Sequence, residues 1–338
     1  MDIADVDYEL PVEAIAQTPV EPRDAARLLI DDGPVAAPRH GHITDLPSLV
    51  GPGDVVVVNT TRVLPARLAL AKGSGGAVEV LLLEPVDADE RSWEALVRPS
   101  RKVAPGTALV AGDDLTVVVG DDLGEGRRRV EVHLGRDGDL LNALERHGAV
   151  PLPPYISVPL LDPERYQTTY AVQPGSVAAP TAGLHLTPAV LAGMHEAGAT
   201  VVPVELVVGL GTFRPITTAR VDDHQMHAER YRVPASTMAA CEAGGRVVAI
   251  GTTTVRALES AAATGELEGR TELFIRGDRP FALVGALVTN FHQPRSSLLV
   301  LVDAFVGPRW RSLYEVALGE GYRFLSFGDA MFLRGERG

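Results

Sequence analysis

A chain of 338 residues, 46% of them hydrophobic and 22% charged, has an ordinary composition for a folded protein and is long enough for two domains. Its formal net charge of −13 argues against nucleic-acid binding by the charge of the whole surface, but it does not exclude a local basic face. The single cysteine, Cys241, excludes an intramolecular disulfide and a cysteine-rich metal site.

Two features of the sequence bear on its location. No apolar run approaches the roughly 20 residues of a bilayer span, and residues 1–5 are acidic where a signal peptide would be basic. We therefore expect a cytoplasmic protein with no membrane partner, and we favour a monomer.

The first elements that we predict are strands. Residues 25–30 form an apolar run that ends in a turn, and residues 55–58 are four consecutive valines, a pattern typical of a strand covered on both faces. We expect the polar residues 59–62 to form a loop at the carboxyl end of the second strand.

Residues 66–150 have a different texture. Short apolar runs at 78–83, 93–97, 115–119 and 129–134 are separated by Gly, Asp and Pro turns, a spacing that predicts a small antiparallel sheet or barrel. The same block carries cations that suit phosphate contacts, although a solvated face is the commoner use of such residues. With one cation from the preceding loop, the candidates for tRNA contact are Arg62, Arg98, Arg101, Lys102, Arg127 and Arg128.

After residue 151 strands alternate with helices. Thr187 and Pro188 suit the N-cap and first turn of a helix that ends near Gly198. Apolar runs at 201–208, 246–251 and 281–288 predict strands, and residues 255–260 read as a helix. This alternation predicts an α/β fold with a mostly parallel sheet and helices on its faces.

Polar segments follow the predicted strands at 59–62, 179–185, 209–229, 251–256 and 289–292. Ligands bind at the carboxyl edge of open α/β sheets because loops and helix N-termini converge there. Thr252 and Thr253, at a helix start, offer backbone amides and hydroxyls to an anion, although threonines there are more often simple caps.

Standard motifs are mostly missing. Gly209 and Gly211 are followed by Arg214 where a dinucleotide fingerprint needs a third glycine, and the sequence has neither a phosphate-binding P-loop nor a nucleophile elbow. His224, His227 and Glu229 could ligate a metal with help from His185 or His292, but this spacing is a weak metal signal. We expect proton transfer and hydrogen bonding instead, and no metal.

The chain resembles the S-adenosylmethionine:tRNA ribosyltransferase-isomerase family, which forms epoxyqueuosine, over nearly its whole length. The matching strings are YELP at 8–11, NTTRVLPAR at 59–67, PLPPYI at 151–156, YQTTYA at 166–171, GSVAAPTAGLH at 175–185, VGLGTFRP at 208–215, DHQMHAE at 223–229, GTTTVRALES at 251–260, TNFH at 289–292, YRF at 322–324 and GDAM at 328–331.

The resemblance implies a discontinuous α/β catalytic domain, residues 1–65 and 151–338, with an inserted all-β domain at 66–150. It also implies that S-adenosylmethionine is consumed as a substrate, with no true cofactor. Its ribosyl group would pass to the aminomethyl arm of a 7-deazaguanine in the tRNA anticodon and isomerise to an epoxide, while adenine and methionine leave.

Such a reaction needs a base beside the sulfonium, a donor for the departing adenine and an anchor for the methionine carboxylate. We expect His185, His227 and Glu229 to be the acid and base candidates. Arg256, Thr252 and Thr253 are predicted to anchor the carboxylate. The remaining predicted substrate-binding residues are Thr181, Arg214, His224, Asn290, His292 and Asp329.

Several departures from the family pattern concern the acceptor; among them, Thr60 and Gly285 stand where aspartates are usual, and Gln293 stands where a leucine is usual. A lost carboxylate could alter recognition of an amine or of a deazaguanine edge. Two alternatives to the tRNA enzyme therefore stay open here: a related transferase acting on a small 7-deazapurine or other nucleophile, and a non-catalytic RNA-binding module. The sequence leaves individual catalytic roles, oligomeric state and reaction order undetermined.

Overall fold

The computed structural model describes residues 1–87, 89–135, 138–209 and 215–335. The chain divides into two compact units, one made of Met1–Arg62, Pro153–Gln173 and Ala179–Gly338 and the other of Val63–Leu152 and Pro174–Ala178. The predicted insertion at 66–150 falls inside the second unit.

The strands are β1 Arg27–Asp31, β2 Arg39–His42, β3 Val55–Asn59, β4 Thr61–Val63, β5 Arg67–Lys72, β6 Ala77–Pro85, β7 Ser92–Arg98, β8 Ala108–Ala111, β9 Leu115–Gly124, β10 Arg127–Leu134, β11 Gly148–Ala149, β12 Gln173–Ser176, β13 Thr200–Leu206, β14 Glu229–Arg232, β15 Val247–Ile250, β16 Glu268–Thr271, β17 Val284–Asn290 and β18 Ala330–Arg334. The helices are α1 Leu140–His147, α2 Pro188–Glu196, α3 Ala235–Ala243, α4 Thr252–Thr264, α5 Ser297–Val306 and α6 Trp310–Gly319.

The first unit is built on a nine-stranded sheet with the order β16-β14-β13-β3-β15-β17-β18-β1-β2. The central strands β13, β3, β15 and β17 are parallel, and β1 is parallel to β18. The other pairings are antiparallel, as a hairpin such as β1–β2 must be because its connection is too short for a crossover. The α/β prediction is confirmed, and the sheet is parallel at its centre and mixed towards its edges.

Strand β3 shows why valines occupy a central strand of the nine-stranded sheet. Every residue from Val55 to Asn59 is buried, and Val56 and Val58 join a core that includes Val190 and Met194 of helix α2. Burying a valine side chain stabilises a fold by roughly 1.5–3 kcal/mol. Strand β3 is therefore apolar on both faces because both faces are covered.

The predicted start of helix α2 is confirmed. The Thr187 hydroxyl accepts a hydrogen bond from the Val190 amide at 3.3 Å, and Pro188 occupies the first turn. Gly198, with φ of +93°, follows the helix in a conformation that a side chain would strain.

Two polar residues lie inside strands where we expected loops. Asn59 is the last residue of β3, and Asn290 is the last residue of β17. The prediction of a loop at 59–62 holds only for Thr60, because Asn59 ends β3 and residues 61–62 belong to β4, which pairs with β12.

The second unit is a closed antiparallel barrel. Its strands follow the order β5-β6-β7-β10-β9-β8, and β8 pairs with β5 to close the ring. In β7, Trp93, Ala95 and Val97 are buried while the residues between them are partly exposed, the alternation that a filled barrel requires. The predicted antiparallel barrel is confirmed. Within the parts of the chain that the structure describes, every helix is too short or too polar to cross a membrane.

Candidate functional site

The carboxyl ends of the four central parallel strands meet at one edge of the large sheet, as expected for the ligand-binding edge of an α/β fold. A narrow cavity of about 20 Å³ lies there, and we call it the first cleft. Its lining comes from the end of β17, the segments and helices that follow β13, β15 and β17, and the segment before helix α2. The residues are Ala179, Pro180, Thr181, Ala182, Val208, Gly251, Thr252, Thr253, Thr289, Asn290, His292 and Leu298.

A second cleft of about 30 Å³ shares four residues with the first. These are Thr181, Asn290, His292 and Leu298, which form the wall between the two. Each cleft holds only a water molecule or a small polar group, so each is an anchoring point for part of a substrate. The second cleft is completed by Tyr155, Phe291, Gln293, Ser296, Leu325 and Ser326.

Asn290 is the centre of a hydrogen-bonded chain. The Thr181 hydroxyl donates to Oδ1 of Asn290 at 2.8 Å, and Nδ2 of Asn290 contacts Nε2 of His185 at 3.2 Å. Because an amide nitrogen can only donate, Nε2 of His185 is the acceptor and carries no proton. Burial, reinforced by the charges of Arg323 and Arg165, lowers the pKa of His185 to about 4. His185 is therefore neutral at physiological pH.

His292 is held from three sides. Its Nε2 lies 2.8 Å from the Thr289 hydroxyl, its backbone amide donates to the Tyr314 hydroxyl at 2.9 Å, and its carbonyl accepts from the Tyr8 hydroxyl at 2.6 Å. Burial lowers the pKa of His292 to about 3. This fixed, neutral imidazole suits hydrogen bonding to a substrate better than proton abstraction.

The N-terminus of helix α4 opens onto the first cleft. Gly251, with φ of +91°, precedes the helix, and no side chain caps it. Thr252 and Thr253 line the cleft, and Thr252 is only 6% exposed. The hydroxyl of Thr253 accepts a long hydrogen bond, 3.4 Å, from Asn59. First-turn amides and the helix dipole favour an anion at this point.

Glu229 and Arg256 lie near each other and line neither cleft. They form an ion pair with side chains 5% and 6% exposed. Glu229 also accepts the Gly209 amide at 3.0 Å, and Arg256 donates to the carbonyl of Leu273 at 3.2 Å. The role of Arg256 as an anchor for a substrate carboxylate stays a prediction, and in this structure its guanidinium contacts Glu229 and backbone carbonyls.

The other histidines of the predicted catalytic stretch are not brought to the clefts. His227 is exposed, and His224 is partly buried with its ring edge on Phe274 at 5.6 Å. Burial and the neighbouring His227 lower the pKa of His224. Arg214 and residues 210–213 lie outside the described residues.

Asp329 contacts backbone where we expected it to contact substrate. Its carboxylate accepts the amides of Arg27 at 2.9 Å and of Arg323 at 2.8 Å, and its own carbonyl lies 3.4 Å from Nδ2 of Asn290. Asp329 therefore supports the wall between the clefts from behind. Among the residues that the structure describes, no three His, Cys, Asp or Glu side chains converge as metal ligands.

Of the predicted tRNA contacts, Arg128 is buried in the barrel. Its guanidinium is buried and donates to the hydroxyl and carbonyl of Ser100 and to the carbonyls of Gly120 and Val103. Around the Arg128 guanidinium, carbonyl oxygens take the place of water. These hydrogen bonds link β10 to β9 and to residues 100–103.

The other cations are more accessible. Arg127 pairs with Glu94 at 3.1 Å, and in the first unit Arg62 pairs with Glu164. In the barrel, Arg98, Arg101 and Lys102 are exposed at the end of β7 and in the short helix that follows it.

Sequence reasoning missed several residues of the site. Asn59 donates to the Leu206 carbonyl at 3.0 Å behind Thr253, Thr289 holds His292, and Ser326 lines the second cleft. The position of Asn59 at a strand end was the available signal for that residue. Nothing local marks Ser326, which reaches the cleft through a turn at the far end of the chain.

Comparison with known proteins decides the family. The family model described as queuosine biosynthesis protein matches residues 3–333. This chain belongs to that family. It is 52% identical to the S-adenosylmethionine:tRNA ribosyltransferase-isomerase of Rubrobacter xylanophilus, with 98% of this chain and 97% of that protein covered. It is 50% identical to the enzyme of the same name from Anaeromyxobacter dehalogenans, with 98% and 99% covered.

A solved structure agrees. The chain is similar to the crystal structure of the S-adenosylmethionine tRNA ribosyltransferase from Thermotoga maritima, with a TM-score of 0.55 and 36% identity over 97% of this chain and 99% of that one. The resemblance inferred from the short sequence strings is confirmed.

Proposed function

We infer that the protein is an S-adenosylmethionine:tRNA ribosyltransferase-isomerase. It transfers the ribosyl group of S-adenosylmethionine to the aminomethyl group of a 7-deazaguanine in the tRNA anticodon and isomerises it, giving epoxyqueuosine, adenine and methionine. The carrying observation is the match to enzymes of that name along almost the whole chain. A small-molecule acceptor is not favoured, because these full-length relatives are named as tRNA enzymes.

The first cleft supports a place for the methionine end of the donor. The open N-terminus of α4, with Thr252 and Thr253, provides amide and hydroxyl donors for a carboxylate without a cationic side chain. Arg256 then acts indirectly: paired with Glu229, it fixes α4 and the peptide of Gly209.

The wall between the clefts supports a place for the reacting centre. Thr181, Asn290 and His292 present hydrogen-bonding groups to both sides, and the two buried histidines nearby are neutral. A sulfonium cation beside neutral imidazoles avoids like-charge repulsion. In this assignment His185 orients Asn290, and the exposed His227 stays the predicted base. Glu229 now positions Arg256 and the peptide of Gly209 rather than acting as acid or base.

The exposed cations Arg98, Arg101 and Lys102 are the residues that we assign to tRNA phosphates. We place the enzyme in the cytoplasm, where its tRNA substrate would be found, and propose that it works as a monomer without a metal or cofactor.

The test is adenine release. The purified protein is incubated with S-adenosylmethionine and with tRNA carrying the aminomethyl-deazaguanine, and unmodified tRNA is the control. We expect adenine only with the modified tRNA, and an affinity for tRNA that falls steeply with salt. Adenine release without tRNA would point to the small-molecule acceptor, and tRNA binding without release would point to an RNA-binding module.

A further inference from the structure

The second cleft, at about 30 Å³, has room only for the polar edge of a planar heterocycle, and its lining suits such an edge. Its apolar walls are Leu298, Leu325 and Phe291, which is fully buried and stacked on Phe324 with ring centroids 4.7 Å apart. A few polar groups converge between these walls, the combination that ligand sites use for orientation.

One wall is held in an unusual conformation. Leu325 has a φ of +68°, in the left-handed region that side chains rarely adopt. Its amide donates to the Phe291 carbonyl at 3.1 Å and its carbonyl accepts from Gly328 at 2.9 Å. Such conformations persist where the surrounding structure over-determines them, often at ligand sites. The turn places Ser326, whose hydroxyl lies 2.8 Å from that of Tyr155, at the cleft.

Gln293 is a polar residue of this cleft whose side chain protein neighbours leave available. Its side chain lines the cleft and is partly exposed. Its carboxamide makes no hydrogen bond with any residue that the structure describes. By contrast, Ser326 and Asn290 in the same cleft are both occupied by other side chains.

Gln293 also differs from the other two departures noted in the sequence. The Thr60 hydroxyl donates to the Val204 carbonyl at 3.2 Å, and Gly285 lies within β17 with its carbonyl bonded to Gly335. Neither lines a cleft. Of these three positions, only Gln293 lines one of the two clefts.

We propose that the second cleft binds the hydrogen-bonding edge of a purine-type base and that Gln293 determines which edge is accepted. A carboxamide offers one donor and one acceptor side by side, so it can pair with a base edge that presents the complementary pair. The proposal rests on the proposed function, in which two such bases take part: the adenine of the donor and the 7-deazaguanine of the tRNA.

The two bases call for different chemistry at position 293. An adenine edge presents a ring acceptor beside an amino donor. A carboxylate has no proton to donate to that ring acceptor, so it would pair poorly with adenine. The Watson–Crick edge of a deazaguanine presents two N–H donors side by side, which a carboxylate accepts well. The variants Gln293→Leu and Gln293→Glu therefore identify the base, and Gln173→Leu, at an exposed position, is the matched control.

The experiment measures KM for S-adenosylmethionine and for modified tRNA separately. Gln293→Leu should raise one of the two KM values about ten-fold, as expected for a lost hydrogen-bond pair. If the base is adenine, the KM for S-adenosylmethionine should rise, and Gln293→Glu should be as impaired as Gln293→Leu. If the base is the deazaguanine, the KM for modified tRNA should rise in Gln293→Leu, and Gln293→Glu should restore the wild-type KM.

A change of less than two-fold in both KM values with Gln293→Leu would overturn the proposal. Failure of the proposed function is seen separately, as an absence of adenine release by the wild-type protein. In that case calorimetry with free adenine and free 7-aminomethyl-7-deazaguanine tests the cleft directly: weaker binding to Gln293→Leu than to wild type supports it, and equal or undetectable binding to both overturns it.

Discussion

Two groups of buried polar residues in the α/β unit differ in charge and in their access to the clefts. Around Asn290 the groups are neutral, linked by hydrogen bonds, and face two clefts. Glu229 and Arg256 carry full charges, satisfy each other and neighbouring backbone, and line neither cleft. From residue type alone, members of both groups were predicted to belong to the site. The difference teaches that a buried polar group is a candidate for binding substrate only where some of its surroundings are left for the substrate to fill.

The largest effect should come from breaking the charged pair. Arg256→Gln removes the guanidinium that pairs with the buried Glu229 carboxylate, which should lower the free energy of unfolding by about 3–5 kcal/mol. Urea denaturation measures it. The double variant Glu229→Gln with Arg256→Gln should be more stable than Arg256→Gln alone, because both members of the buried ion pair become neutral. If the double variant is stable yet its KM for S-adenosylmethionine rises a hundred-fold, Arg256 is a direct anchor after all.

Next comes the centre of the neutral network. Asn290→Ala removes the group that faces both clefts and should lower kcat/KM for adenine release about a hundred-fold, equivalent to roughly 2.7 kcal/mol of transition-state stabilisation. The exposed Asn142 offers a control, since Asn142→Ala should leave the rate unchanged. A loss smaller than five-fold would remove Asn290 from the site.

The neutral histidines predict how stability depends on pH. His185 and His292 have pKa values of about 4 and about 3 in the folded protein, against 6.5 for a free histidine. Below pH 6.5 the unfolded chain binds protons that the folded chain does not. The free energy of unfolding should therefore fall as pH drops from 6.5, by about 1.4 kcal/mol per pH unit for each histidine, with no such contribution above 6.5.

Urea denaturation at pH 7, 6 and 5 measures this slope. His185→Gln keeps an acceptor for Asn290 and should remove one histidine's share, about 2 kcal/mol between pH 6.5 and 5. His195→Gln, at an exposed position, should leave the slope as it is. An unchanged slope in His185→Gln would mean that this imidazole is protonated in the folded protein.

The smallest effect concerns the helix terminus. Thr252→Val keeps the shape of the side chain but removes its hydroxyl from the first cleft, so KM for S-adenosylmethionine should rise about ten-fold with kcat unchanged. Thr44→Val, in an exposed short helix, is the control. A fall in kcat at constant KM would instead place Thr252 against the reacting atoms.

Part of this architecture follows from the sequence alone. The four valines of β3, the Thr187-Pro188 start of α2 and the alternating strands of the barrel are local patterns, because burial on one or both faces dictates residue type at a fixed period. The family, too, was recognisable from short strings. The sequence also placed Thr181, Thr252, Thr253, Asn290 and His292 at one edge, since the carboxyl ends of parallel strands meet there.

Other features were decided only by tertiary structure. Nothing in the chain order says that Arg256 is neutralised by Glu229, that Arg128 is enclosed by carbonyls, or that the turn at Leu325 carries Ser326 to residues 30 or more positions earlier in the chain. A charge has the same letter whether it is free or paired, and its partner is set by packing between segments far apart in sequence. The sequence therefore determined which residue types stand at the edge of the sheet, and the fold decided which of them are left open to a substrate.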